Sequence, residues 1–162
     1  MSQRNVLSVL IIALAVALGA LREFLFINLN YHIDFLQHER PYSYAHSSFQ
    51  AAVSGLSAET LSTLKWCLAG LFIGLMLLAG ITLARVLFGD HRYRLPITFG
   101  TLVIALLALL CHGLAAGVPA MEGVSIALSH AIQYPVPLLF IYAASWAGGL
   151  RTKAIVVPGD RG

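Results

Sequence analysis

Four apolar runs, each near the roughly 20 residues that cross a hydrocarbon core, constrain this chain more than anything else in it. They cover about 5–27, 64–88, 95–117 and 124–148. Inside a bilayer each run must satisfy its own backbone hydrogen bonds without water, so each is expected to be an α-helix. Charged residues make up only 10% of the chain, where a soluble domain carries about 25%. The net charge of +3 is small and scattered, which excludes a clustered basic face for nucleic acid. The expected fold is therefore all-α: one membrane domain, 1–162, forming an integral membrane four-helix bundle.

The first run begins after the polar start Met1–Arg4. A basic start, an apolar core and the small residues Ala17-Leu18-Gly19 resemble a cleavable signal peptide. The apolar character resumes at Phe24-Leu25-Phe26-Ile27, beyond the charged pair Arg22-Glu23, so a retained first span is expected. From 28 to 60 the chain turns polar and aromatic, with Asn30, His32, Asp34, His38, Glu39, Arg40 and His46. Pro41 should end any helix leaving the first span. Ser57, ahead of Ala58-Glu59-Thr60, is a helix N-cap candidate, and Lys65-Trp66 reads as an interfacial anchor for the second span.

Gly70 and Gly74 form a GxxxG spacing expected to let spans of this chain pack closely. Cys67 and Cys111 lie inside apolar runs with no CxxC or zinc spacing, and read as small core residues. A redox pair would need equal depth, and counting along the runs places Cys111 several residues deeper. In the fourth run, Pro135 and Pro137 each remove an N–H, freeing carbonyls near Ala131 and Gln133 and bending the helix. His130, Gln133, Tyr134 and Pro137 would share a face of that span.

Loop charges set the expected topology. Arg4, then Arg85, Arg92 and Arg94, then Arg151 and Lys153 fall on one side; Glu39, Arg40, Glu59 and Glu122 fall on the other. The positive-inside rule places both termini in the cytoplasm and the 28–60 loop outside, with a bacterial cytoplasmic (inner) membrane as the expected location. At about 1.5 Å per residue, Arg22, Glu23, His112, His130 and Gln133 then share one outer-leaflet layer, and they are the candidate polar site. Asn30, Asp34, His38 and His46 are the candidate loop surface. Each has a plainer role: Arg22 and Glu23 can pair or snorkel, His112 and His130 can be interhelical hydrogen-bond partners, and the loop histidines match no metal template. Tyr31, Tyr42, Tyr44 and Trp66 read as an interfacial aromatic belt.

No catalytic constellation emerges: His46, Ser47, Ser48 and Asp34 supply an inventory without geometry. The leading expectation is a non-catalytic accessory subunit in the bilayer beside a larger membrane protein, with a homo-oligomer as a variant. One alternative is a haem or quinone between His112 and His130; another is a small oligomeric transporter using Arg22 and Glu23. Beyond those alternatives no cofactor is named by the residues.

The words Arg22-Glu23-Phe24-Leu25-Phe26, Asn28, Asn30, Ile33-Asp34, Leu64-Lys65-Trp66 and Tyr134-Pro135-Val136-Pro137-Leu138 resemble a pattern in small bacterial four-span membrane proteins. Some of those accompany exosortases, the membrane transpeptidase-like processing enzymes. The resemblance implies an accessory role and transfers no catalytic residue.

Overall fold

The structure, a computed structural model, describes residues 3–90 and 93–154, with side chains as far as 145. Every regular element among the described residues is helical: α1 (Gln3–Gln37), α2 (Ser47–Ala52), α3 (Ala58–Phe88), α4 (Arg94–Leu114), α5 (Ala120–Gln133) and α6 (Val136–Ala154). Helices α1, α3 and α4 are each long and apolar enough to cross a membrane. α5 and α6 pass the same test as a pair, joined across a 53° bend. These three to four spans are those of an integral membrane protein. The surface agrees: α4 leaves Leu95 80% and Phe99 70% exposed, a face that suits acyl chains and not water.

α3 is the hub, packed against α1, α4, α5 and α6. At the end carrying the α3–α4 turn, Ala15 of α1, Met76 and Leu83 of α3 and Leu138 of α6 close a buried core. The Arg4 guanidinium donates to the Leu87 carbonyl there, fixing α1 and α3 at one level. Gly89 ends α3 with φ 68°, a left-handed cap that places its N–H 2.9 Å from the Arg85 carbonyl.

The opposite end is a folded cap. α1 runs on to Gln37, so 28–37 of the expected loop is helix; the loop proper is shorter and carries α2. The reason is periodicity: Phe26, Leu29 and Ile33 keep an apolar face buried through the polar stretch. Leu29 and Ile33 pack with Ala45, Phe49, Val53 and Leu61, so the connection folds back onto α1 and α3. α1 ends in a left-handed turn at Glu39 (φ 47°), with Arg40 N–H reaching the Phe35 carbonyl at 3.2 Å. Ser57 caps α3 as expected, its Oγ accepting from Thr60 N–H at 3.2 Å.

The fourth run is two helices. α5 stops at Gln133, and Tyr134 is extended (φ −105°, ψ 162°). The face expected to include Pro137 therefore ends at the break, and Pro137 lies instead beside Met76, Gly80 and Ile97. Arg92 and Arg161 lie outside the described residues, as do the side chains of Trp146, Arg151 and Lys153.

Candidate functional site

Gly19, Arg22, Glu23 and Phe26 recur at helical spacing along α1, and the α5–α6 break sits against them. A Cβ at Gly19 would lie 3.3 Å from Pro135 Cδ, so the bare backbone there lets the break approach. One turn on, Arg22 is 4% exposed. Its Nε and Nη2 donate to Gln133 Oε1 at 2.9 and 2.7 Å, and Gln133 itself is 2% exposed. Nη1 donates to Tyr134 Oη at 3.1 Å and meets Glu23 Oε2 at 3.3 Å. The Tyr134 hydroxyl also donates to Glu23. The guanidinium lies over the Phe26 ring at 4.4 Å and the Tyr134 ring at 5.0 Å, favourable for a desolvated cation. Arg22 is thus a rivet: it ties α1 to the segment where two prolines interrupt the helix.

Beside the rivet lies a cavity of about 310 Å³. All five residues of the expected polar layer, Arg22, Glu23, His112, His130 and Gln133, reach its wall. So do Lys65 and Trp66, expected as an interfacial anchor, Glu122, expected in a loop, and Ser125 and Ser129 of the fourth run, to which spacing gave no role. His112 packs edge-on to Trp66 at 5.1 Å, and His130 packs against Tyr134 at 5.4 Å. Ser125 Oγ donates to the Ala108 carbonyl at 2.8 Å, holding α5 to α4. A second cavity of about 380 Å³ lies toward the cap and shares Asn30, Lys65, Trp66 and His112 with the first.

The four cavity charges are unequally placed. Arg22 and Glu23 are paired. Lys65 and Glu122 have neither an ion pair nor a hydrogen bond from their side chains among the described residues.

The candidate loop residues divide. Asn30 and Asp34 line the cap-side cavity. Asp34 also holds Arg40 (Nε–Oδ2 2.7 Å) and His38 (Nδ1–Oδ1 3.0 Å) on the surface. His46 has a structural place, its Nδ1 accepting from Ser48 N–H at the start of α2. Its own N–H donates to Asn28 Oδ1 at 2.5 Å, while Asn28 Nδ2 donates to the Phe24 carbonyl at 2.7 Å. Asn28, buried between helix and cap, entered sequence reasoning only among the residues of the resemblance, with no role of its own. On the cap surface Tyr31, Tyr42 and Tyr44 cluster, with ring centroids 6.0 and 5.0 Å apart and a Tyr42–Tyr44 hydroxyl contact of 3.0 Å. That hydrogen bond holds the Tyr44 phenol above its ordinary range.

Two expectations are corrected. No atom lies within 4 Å of a Cβ built at Gly70 or Gly74, so the GxxxG spacing packs nothing within the described chain. Close approach falls instead to Gly19 and to Gly80, where a Cβ would meet Ile141 and Ile97 at 3.8 Å. Cys67 is exposed and Cys111 half-buried, so neither is the core residue expected; both are free, and depth is not what separates them. The Trp66–His112 contact puts both cysteines one residue from the same level. One step of about 100° along each antiparallel helix turns them to opposite flanks. No protein-family model, curated protein or solved structure matches this chain.

Proposed function

We propose that this chain is a non-catalytic accessory subunit of a membrane complex, binding its partner through the cap. The observation that carries the reading is the exposed tyrosine cluster and its height. Arg4 and Leu87 mark one level at the α3–α4 turn. Arg22 lies about 27 Å further along α1, close to one hydrocarbon thickness, and Tyr31 about 13 Å beyond that. A headgroup layer adds only about 5–8 Å. The tyrosines thus stand at or above the top of that layer, too high for an aromatic belt. Rigid, exposed tyrosines on a folded base are the chemistry of protein–protein contact, since each offers a large apolar face and a hydroxyl.

Arg4, Arg85 and Arg94 sit at the opposite end, so the positive-inside rule makes the cap extracytoplasmic, both termini cytoplasmic and the bent α5–α6 pair the fourth span. The location that fits is a bacterial inner membrane, and the partner that fits is a larger membrane protein with an extracytoplasmic portion. Site-specific photocrosslinking in native membranes tests this. A crosslinker at Tyr44 should capture one larger membrane protein, while one at Leu106 on the exposed face of α4 captures lipid. Lipid alone from both positions overturns the reading, and capture of a second copy replaces it with a homo-oligomer.

One observation favours a second reading. His112 and His130 come from different helices and line one cavity, as a haem or quinone held between them would require. A visible spectrum and solvent extraction of the purified protein decide it: colourless protein without extractable quinone removes the cofactor.

A further inference from the structure

We propose that the cavity beside Arg22 holds the zwitterionic headgroup of a phosphoethanolamine lipid, phosphate toward Lys65 and ammonium toward Glu122. This is independent of the cap and of its partner. Of the four charges on the cavity wall, Arg22 and Glu23 answer each other, with Gln133 and Tyr134 completing the guanidinium's contacts. Lys65 and Glu122 carry opposite charges and line the same space, yet neither is ion-paired, to the other or to any described residue. Lys65 is half-buried and Glu122 exposed on that wall, so both heads stay open to a ligand that carries a charge at each end.

The charges select the ligand class. A simple anion would satisfy Lys65 and face Glu122; a simple cation would do the reverse; a neutral molecule would leave both as they are. A group with one negative and one positive end matches the pair. Its positive end needs N–H bonds for the Glu122 carboxylate, which favours a primary ammonium over a quaternary one. Ser129 and His130 on the same wall offer further hydrogen-bonding groups to phosphate oxygens. The source is the membrane itself. Lys65 and Trp66 lie about 32 Å from the Leu87 level, just past the hydrocarbon boundary where headgroups sit. The apolar part of the wall, Phe26, Ile27, Ala69 and Ile126, continues through exposed Ile27 and Ile126 onto the acyl-facing surface. The volume, about 310 Å³, is at the small end of ligand cavities and suits a headgroup better than a whole amphiphile.

Native mass spectrometry of the detergent-purified full chain tests this, with equimolar phosphatidylethanolamine, phosphatidylcholine and phosphatidylglycerol of matched acyl chains. The ethanolamine lipid should be retained about tenfold more than either other lipid. Lys65→Met and Glu122→Gln should each reduce its retention to the phosphatidylcholine level. Melting temperature of the lipid-stripped protein should change little in either variant, since neither side chain has an ion-pair or hydrogen-bond partner among the described residues. Equal retention of the three lipids, preference for phosphatidylglycerol, or unchanged retention in both variants overturns the proposal. Soluble phosphoethanolamine should fail to displace the lipid at equal concentration. Displacement there would assign the cavity to a soluble headgroup compound and overturn the lipid source.

Discussion

Arg22 and Arg40 both meet a carboxylate, and the comparison between them separates good ion-pair geometry from energetic weight. Arg40 has the better pair: Nε and Nη2 reach the two Asp34 oxygens at 2.7 and 3.4 Å. The side chains are 51% and 41% exposed, so water competes for every contact. Arg22 touches Glu23 only at 3.3 Å, and its shortest bonds go to a neutral amide oxygen. It is nevertheless the one whose partners matter, because a guanidinium only 4% exposed that loses an acceptor has little water to replace it. The cap arginine decorates a surface, whereas Arg22 holds the break between α5 and α6.

The largest effect should come from removing that acceptor. Gln133→Leu strips Nε and Nη2 of their partner and should lower unfolding free energy in mixed micelles by about 3–5 kcal/mol. Arg22→Leu combined with Gln133→Leu should be less damaging than Gln133→Leu alone, since an apolar pair leaves no buried charge stranded. A double variant as unstable as the single one would put Arg22 on the same footing as Arg40 and break the comparison.

Asn28 sharpens the contrast, because it lies between the two arginines and joins α1 to the cap. Its amide satisfies the His46 N–H and the Phe24 carbonyl from a buried position. Asn28→Ala orphans the His46 donor and should cost about 1–3 kcal/mol. Hydrogen exchange should show the loss concentrated at α2 while α3 and α4 keep their protection. Uniform loss across all helices would mean that the cap and the spans unfold as one unit.

The spans and the polar layer were legible because both follow from one-dimensional rules. Apolar runs of bilayer length and a depth count along each helix brought Arg22, Glu23, His112, His130 and Gln133 to one place without tertiary information. Lys65 and Glu122 were visible as charges but read as an anchor and a loop residue. Only the packing of α3 on α4, through Trp66 against His112, and of α5 on α4, through Ser125 to the Ala108 carbonyl, turns them toward one cavity. The continuation of α1 to Gln37 was in principle readable from Phe26, Leu29 and Ile33, but Asn28, Asn30, His32 and Asp34 between them suggested a loop. Gly70 and Gly74 misled for the opposite reason. A small-residue spacing states that a helix can be approached, and says nothing about whether this chain approaches it.

Glu39 offers a smaller test on the cap side. It holds φ 47° where glycine would be unstrained, between the end of α1 and the Asp34–Arg40 pair. Glu39→Gly should raise the cap's stability by about 1 kcal/mol, the left-handed penalty less the added freedom of the unfolded chain. The gain should appear as slower exchange at the Arg40 N–H. No gain would mean that the Glu39 side chain contributes something offsetting the strain.

The smallest effect belongs to the pair with the best geometry. Arg40→Gln removes both contacts to Asp34, yet each group then returns to water already in reach, and His38 still neighbours the carboxylate at 3.0 Å. The loss should be about 0.2–1 kcal/mol at low salt. It should shrink toward zero in about 1 M salt, where screening acts over about 3 Å. Gln133→Leu, measured in the same two buffers, should keep most of its effect, because contacts of groups as buried as Arg22 and Gln133 are screened much less. That difference in salt response separates the two arginines even if the low-salt magnitudes happened to coincide. A salt-independent Arg40→Gln would place the cap pair among the buried interactions, with Asp34 and Arg40 covered by something this chain alone does not supply.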